Sequence, residues 1–120
     1  FGCETQCSPD PACASKYSVQ DIEFPFLNSG MFIGRVWALK QCMVGYQYND
    51  NDDDQRFWTT QFFAHPELIE LDYENKLFLN TVDIDMKWFT WNGMSACYKY
   101  KNPIFIHVNG PDKSLIEKLI

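Results

Sequence analysis

Tyr48-Asn49-Asp50-Asn51-Asp52-Asp53-Asp54-Gln55-Arg56-Phe57-Trp58 packs four aspartates into five positions and then turns abruptly aromatic. Like charge concentrated this way costs free energy unless a positive or hydrogen-bonding group answers it. A solvated acidic loop is the ordinary outcome of such a run. The residues that follow argue for more, because Trp58 and Phe62 are four apart with Phe57 alongside, which predicts a helix over roughly 53–63. Aspartates in the first turn of a helix complement its dipole and cap free N–H groups, worth about 0.5–2 kcal/mol for a good cap. That occupies one or two of the four. Asp53 and Asp54 are therefore read as facing a site, with Asp50 and Asp52 left to cap, solvate or tune them.

Working outward, Phe1–Thr5 reads as the end of a strand, and Pro11–Tyr17 as a short helix capped by Ser8 or Asp10. Phe24–Gly30 is expected to be a rigid loop around Pro25. Met31-Phe32-Ile33 is a continuous apolar run, expected as a strand buried on both faces and ended by Gly34. Arg35–Gly45 follows helical spacing, with Val36, Leu39, Met43 and Trp37 predicted to turn inward. Beyond His65-Pro66, the short segments 69–72, 77–80, 86–90, 96–100 and 104–108 read as strands and hairpins, with Trp88, Phe89 and Trp91 as core or sheet-face residues. Asn109-Gly110-Pro111-Asp112 then turns the chain into a helix over 113–120. The expected fold class is α/β: a mixed sheet with flanking helices and a β-rich second half.

Length bounds the chain at one domain: 120 residues, 46% hydrophobic and 17% aromatic, well away from disorder. The net charge of −6 comes mostly from the aspartate run, and without a basic stripe nucleic acid is not an expected partner. No apolar run approaches the roughly 20 residues needed to span a bilayer, so no membrane span is expected. The chain opens on Phe1 as though partway through a strand, which predicts a fragment of a longer protein. Of five cysteines, Cys3, Cys7 and Cys13 crowd the N-terminal part without a C-x-x-C, which argues against zinc. A local disulfide Cys7–Cys13 is expected, and with it a secretory-pathway setting. Cys42 and Cys97 read as small buried hydrophobes.

Beyond the acidic run, the chemistry-bearing residues cluster in two further places. A calcium loop starting at Asp50 would need glycine at its sixth position and glutamate at its twelfth, where the chain has Gln55 and Gln61. His107 ends an apolar strand immediately before a turn and a helix start, where open α/β sheets place ligands. Gly110 and Lys113 add a permissive backbone and a cation, a plausible diphosphate cradle. Asn28, on the loop before the apolar run, serves as cap, turn or ligand for a substrate hydroxyl; its spacing does not separate these. His65 reads as a surface residue.

Taken together, these motifs resemble the glycosyltransferase domain of the multifunctional lysyl hydroxylases, the procollagen glycosyltransferase family. Phe26-Leu27-Asn28-Ser29-Gly30 with Phe32-Ile33-Gly34 resembles that family's LNSGGFIG motif. Asp50–Asp54 with Gln55 and Phe57 resembles its poly-aspartate stretch, His107 with Asn109-Gly110-Pro111 and Lys113 its HGNGPTK motif, and Phe1, Glu4 and Cys7-Ser8-Pro9 its FSAE…CWP segment. Four anchors stand in family order across the whole chain. Met31 and Val108 replace family glycines, Ser8 replaces a tryptophan, and Asn51 interrupts the aspartates.

The resemblance implies the C-terminal half of a GT-A-type domain spanning 1–120. Such a domain uses Mn²⁺ and UDP-glucose or UDP-galactose to glycosylate hydroxylysine or galactosyl-hydroxylysine of collagen-like chains in the endoplasmic reticulum lumen. It implies His107 as a metal ligand completed by upstream aspartates, and Asp53 and Asp54 as the acidic pair beside the donor sugar. Glu4 and Asn28 match positions needed for transfer, and Asn109, Gly110 and Lys113 would lie near the diphosphate. A homodimer would form through segments outside these residues. The alternative is a non-catalytic relative that binds collagen-like or glycan partners.

Overall fold

The computed structural model describes residues 1–47 and 49–120; Tyr48, which opens the acidic stretch, lies outside the described residues. The chain runs β1 (Gly2–Glu4), a 3-10 turn (Pro11–Lys16), β2 (Phe26–Asn28), α1 (Val36–Cys42), α2 (Asp54–Ala64) and β3 (Phe78–Asn80). A second 3-10 turn (Met86–Trp88), β4 (Phe89–Trp91), β5 (Ala96–Tyr98), β6 (Phe105–His107) and α3 (Ser114–Leu119) complete it. The result is a small mixed α/β fold. In place of the single mixed sheet expected, the described strands form three two-stranded sheets: antiparallel β1–β2, parallel β3–β6 and antiparallel β4–β5. Each strand has three residues, and β1 is joined to β3 by the Asn80 side chain, whose Nδ2 donates to the Cys3 carbonyl at 2.8 Å.

The strand expected at Met31–Ile33 forms earlier, at Phe26–Asn28, and the loop expected over Phe24–Gly30 contains it. The cause is pairing: Glu4, Cys3 and Gly2 register with Phe26, Leu27 and Asn28. Pro25 sits just before the strand, where its missing N–H costs no ladder bond. Asn28 then ends it, its Oδ1 accepting the Gly30 N–H at 2.8 Å. The apolar triplet falls beyond that turn, with Phe32 stacked on Phe1 (ring centroids 4.6 Å) and Ile33 73% exposed.

Helix α1 forms where expected, but it turns Leu39 and Cys42 to the core while Val36, Trp37 and Met43 are exposed. Pro11–Lys16 is a 3-10 turn with Asp10 at its N-cap position and no side-chain cap bond. Cys7 and Cys13 are free thiols, so the expected disulfide is not formed; Cys7 Sγ donates instead to the Asp10 carbonyl. Cys42 is buried as expected and Cys97 half-buried. Residues 86–88 coil into a 3-10 turn rather than a strand, leaving Trp88 exposed while Phe89 packs on the core.

Cys3, Phe24, Leu27, Leu79 and Tyr98 are fully buried at the centre, where Phe24 meets the Tyr98 ring edge-on. Residues 69–72 form no strand, although Ile69 and Leu71 are buried; the Asp72 N–H donates to the Phe1 carbonyl. Asp72 launches β3: Oδ1 accepts from Lys76 N, and Oδ2 from Leu77 N and Phe78 N, each at 2.9 Å. Charge-assisted bonds of this kind exceed neutral ones in strength. Asp72→Ala is expected to cost about 2–3 kcal/mol in urea unfolding, and Asp72→Asn, which keeps one acceptor oxygen, about half of that.

Candidate active site

Helix α2 starts where its sequence allows. Asp53 is the N-cap, its Oδ1 accepting from Gln55 N at 2.9 Å and Arg56 N at 3.2 Å. The capping left to Asp50 and Asp52 on sequence grounds thus falls to Asp53, and Asp50 and Asp52 are exposed. Asp54, one residue into the helix, is exposed and accepts from Ser29 Oγ at 2.9 Å through Oδ2. The helix start is thereby fastened to the turn that follows β2.

Gln55 is the hinge pin of this region. Its Nε2 donates to Glu4 Oε1 at 2.7 Å and to the Ser8 carbonyl at 2.8 Å, while its Oε1 accepts from Ser29 N at 3.1 Å. Glu4 is buried, and its other oxygen accepts from Asn109 Nδ2 at 2.7 Å. Burial pushes the Glu4 carboxyl above the usual glutamate range, and the amides of Gln55, Asn28 and Asn109, which favour the charged form, offset that in part. Asn109 Oδ1 accepts from Val82 N at 2.9 Å, so both ends of its amide are committed. Asn28 resolves as a turn residue through its oxygen.

His107 ends β6 opposite Asn80 in the parallel register with β3, and its Nδ1 lies 2.7 Å from Asn80 Oδ1. Burial and the nearby Lys113 ammonium lower its pKa, which favours the neutral imidazole. Lys113 stands at the N-cap of α3 and donates to the Val108 carbonyl. Gly110 has φ +76°, the left-handed region glycine enters freely, and a Cβ there would meet Val82 Cγ2 at 3.2 Å.

These groups converge. Glu4, Asn28, Asp53, Asp54, His107, Asn109, Gly110 and Lys113, spread over more than a hundred positions, all line one cleft of about 950 Å³. Asn80 and Gln55, which hold His107 and Glu4, were not singled out as site residues from sequence, because amides in strands and helix starts carry no distinctive spacing. His65 lies apart from this cleft, half-exposed beside Glu67. Among the described residues no three histidine, cysteine or acidic side chains are grouped to cage a metal ion. Among the described residues no helix is long and apolar enough to cross a membrane.

A family model described as the PLOD GT domain matches residues 1–120. The chain belongs to the PLOD GT domain family. Within it, the chain is 33% identical to the multifunctional procollagen lysine hydroxylase and glycosyltransferase of Caenorhabditis elegans, covering 99% of this chain and 18% of that protein. The rat protein of that name, LH3, is 33% identical over 94% of this chain and 16% of its own length. An uncharacterized protein of Acanthamoeba polyphaga mimivirus is 32% identical, over 99% of this chain and 26% of that protein. The chain spans about a quarter or less of the relatives it matches. As a PLOD GT domain sequence it presents a glycosyltransferase-like fragment, and its mixed α/β architecture is compatible with one.

Proposed function

We propose that these residues form the C-terminal half of a GT-A-type glycosyltransferase domain, acting with Mn²⁺ and UDP-galactose or UDP-glucose on hydroxylysine or galactosyl-hydroxylysine of collagen-like chains. The observation that supports this is the convergence of eight residues from four separate motifs on one cleft, in a family whose relatives include proteins named as glycosyltransferases. The site then lies in the endoplasmic reticulum lumen, the protein pairs as a homodimer through other segments, and the remaining metal ligands come from outside residues 1–120.

Each side chain has a task its geometry permits. Mn²⁺, when bound, would supply fixed positive charge for the departing diphosphate. His107 fits as one ligand, because its Nδ1 is engaged by Asn80 and its Nε2 has no hydrogen-bond partner among the described residues. Lys113 adds a second positive charge at the diphosphate, beside the open backbone of Gly110. The exposed Asp54 carboxylate, held through one oxygen by Ser29, orients the acceptor hydroxyl or meets positive charge developing at the anomeric carbon. Asp53 sets the helix start that aims Asp54. Glu4, with both oxygens committed to amides, works by fixing Asn109 and Gln55 in the cleft wall.

The test is UDP release by the full-length protein with Mn²⁺ and each donor, with and without a hydroxylysine-containing collagen peptide. Asp54→Ala is expected to lower transfer on the order of 100-fold or more while costing the fold only about 1 kcal/mol for the lost Ser29 bond. Full-length protein that hydrolyses neither donor would sink the enzymatic reading and favour a non-catalytic module binding collagen-like or glycan partners.

A further inference from the structure

We propose that Asn80 is a positioning residue: it locks the His107 proton on Nδ1 and leaves the Nε2 lone pair as the free, electron-donating end of the ring. The argument starts at Cys3. Its backbone carbonyl can only accept, and the Asn80 amide approaches it at 2.8 Å, so the Asn80 amino group must face that carbonyl. Flipping the amide would set two oxygens against each other at that distance. The carboxamide oxygen is therefore the atom 2.7 Å from His107 Nδ1. An oxygen without a proton requires a donor opposite it, so Nδ1 carries the hydrogen.

The lock is rigid. Asn80 is fully buried and pairs directly with His107 in the β3–β6 register, and Thr81 N donates to the His107 carbonyl at 3.1 Å. Gly2 makes room for it: a Cβ there would lie 3.0 Å from Asn80 Nδ2. From the other side, Gly30 packs so tightly that a Cβ would overlap the imidazole. A ring clamped on one edge, with its proton assigned by an amide whose own orientation is fixed, presents an electron pair without rearranging. Partners of this kind orient a ligating histidine and raise its affinity for metal. Relevance to a divalent cation rests on the proposed function; the tautomer does not.

The experiment is a long-range ¹H–¹⁵N correlation spectrum of the metal-free 120-residue chain, at a pH where histidine is neutral, with His65→Gln assigning the two rings. His107 is expected to show a pyrrole-type Nδ1 and a pyridine-type Nε2. Asn80→Asp, which keeps an acceptor at Nδ1 but loses the bond to Cys3 and sets its second oxygen against that carbonyl, is expected to retain that pattern where it folds. Asn80→Leu removes it, and the proton is expected to shift toward Nε2, the site free imidazole prefers. Circular dichroism and melting establish that each variant is folded; if the leucine variant is not, the parent and aspartate spectra decide. A parent with its proton on Nε2, or a folded leucine variant keeping it on Nδ1, overturns the inference. In full-length protein Asn80→Leu is further expected to weaken Mn²⁺ binding roughly 10–100-fold; unchanged Mn²⁺ affinity with the tautomer shifted would count against the metal role alone.

Discussion

Gly30→Ala is expected to lower transfer by the full-length protein on the order of 100-fold, the scale of a misplaced catalytic group, and to cost the fold about 1–3 kcal/mol. A Cβ on residue 30 would stand 2.1 Å from His107 Cε1, 2.6 Å from its Nδ1 and 2.9 Å from Asn28 Oδ1. Real side chains do not tolerate such distances, so something must move. The ring is the natural candidate, yet it is tied to Asn80 and its strand is pinned to β3. Backbone movement at residue 30 would in turn break the bond from Gly30 N to Asn28 Oδ1 and pull on Ser29, which holds both Asp54 and Gln55. One methyl group therefore strikes both halves of the cleft. Thermal melting and UDP release measure the two effects separately, and a variant with parental values in both would mean that His107 has room to turn away.

That glycine also marks what was legible in the sequence. The Asn28-Ser29-Gly30 motif, the aspartate run and His107 announce a site because their residue types are unusual in their settings, and the motif, Asp53 and Asp54 of the run, and His107 reach one cleft. The helix at Asp54–Ala64 was legible for a related reason: aspartates followed by aromatics at helical spacing satisfy local capping and tertiary packing together. Met31–Ile33 misled because an apolar triplet is equally consistent with a strand and with a surface patch, and only the pairing partner decides. Val36 and Trp37 misled in the same way, since periodicity gives a helix its apolar stripe but not the surface that covers it. Least legible were Gln55 and Asn80. Their importance lies in three-dimensional convergence: each amide joins segments at least 26 residues apart, and nothing in its neighbours foretells that.

Gln55→Glu is expected to destabilise the chain at neutral pH by roughly 3 kcal/mol, the upper end of what an unsatisfied group costs, here beside the buried Glu4 carboxylate, and to recover much of that in acid. The isosteric side chain keeps an oxygen for the Ser29 N–H. Its other oxygen replaces the amino group that now lies 2.7 Å from Glu4 Oε1 and 2.8 Å from the Ser8 carbonyl. Two carboxylates and a carbonyl then crowd one point, and the Glu4 carboxyl is already raised by burial. Repulsion raises the folded-state pKa of the pair further, and the two groups titrate as one unit. The sign follows from proton counting. Between the unfolded glutamate value, about 4.3, and the higher folded values, the native state binds more protons than the unfolded one, so stability falls as pH rises. The penalty is complete above the folded pKa values and disappears below the unfolded one. The parent chain carries the same sign at smaller size through Glu4 alone. Gln55→Leu removes the donors without adding charge, so its loss, about 1–3 kcal/mol for unsatisfied partners, should show a smaller acid recovery, through the Glu4 carboxyl that the lost amide no longer pulls down. The double variant Glu4→Gln/Gln55→Glu restores one carboxylate facing one amide and is expected to regain most of the stability. Melting curves of the four proteins across acid and neutral pH read all of this, and a Gln55→Glu deficit that fails to shrink on acidification would show that its cause is lost geometry rather than charge.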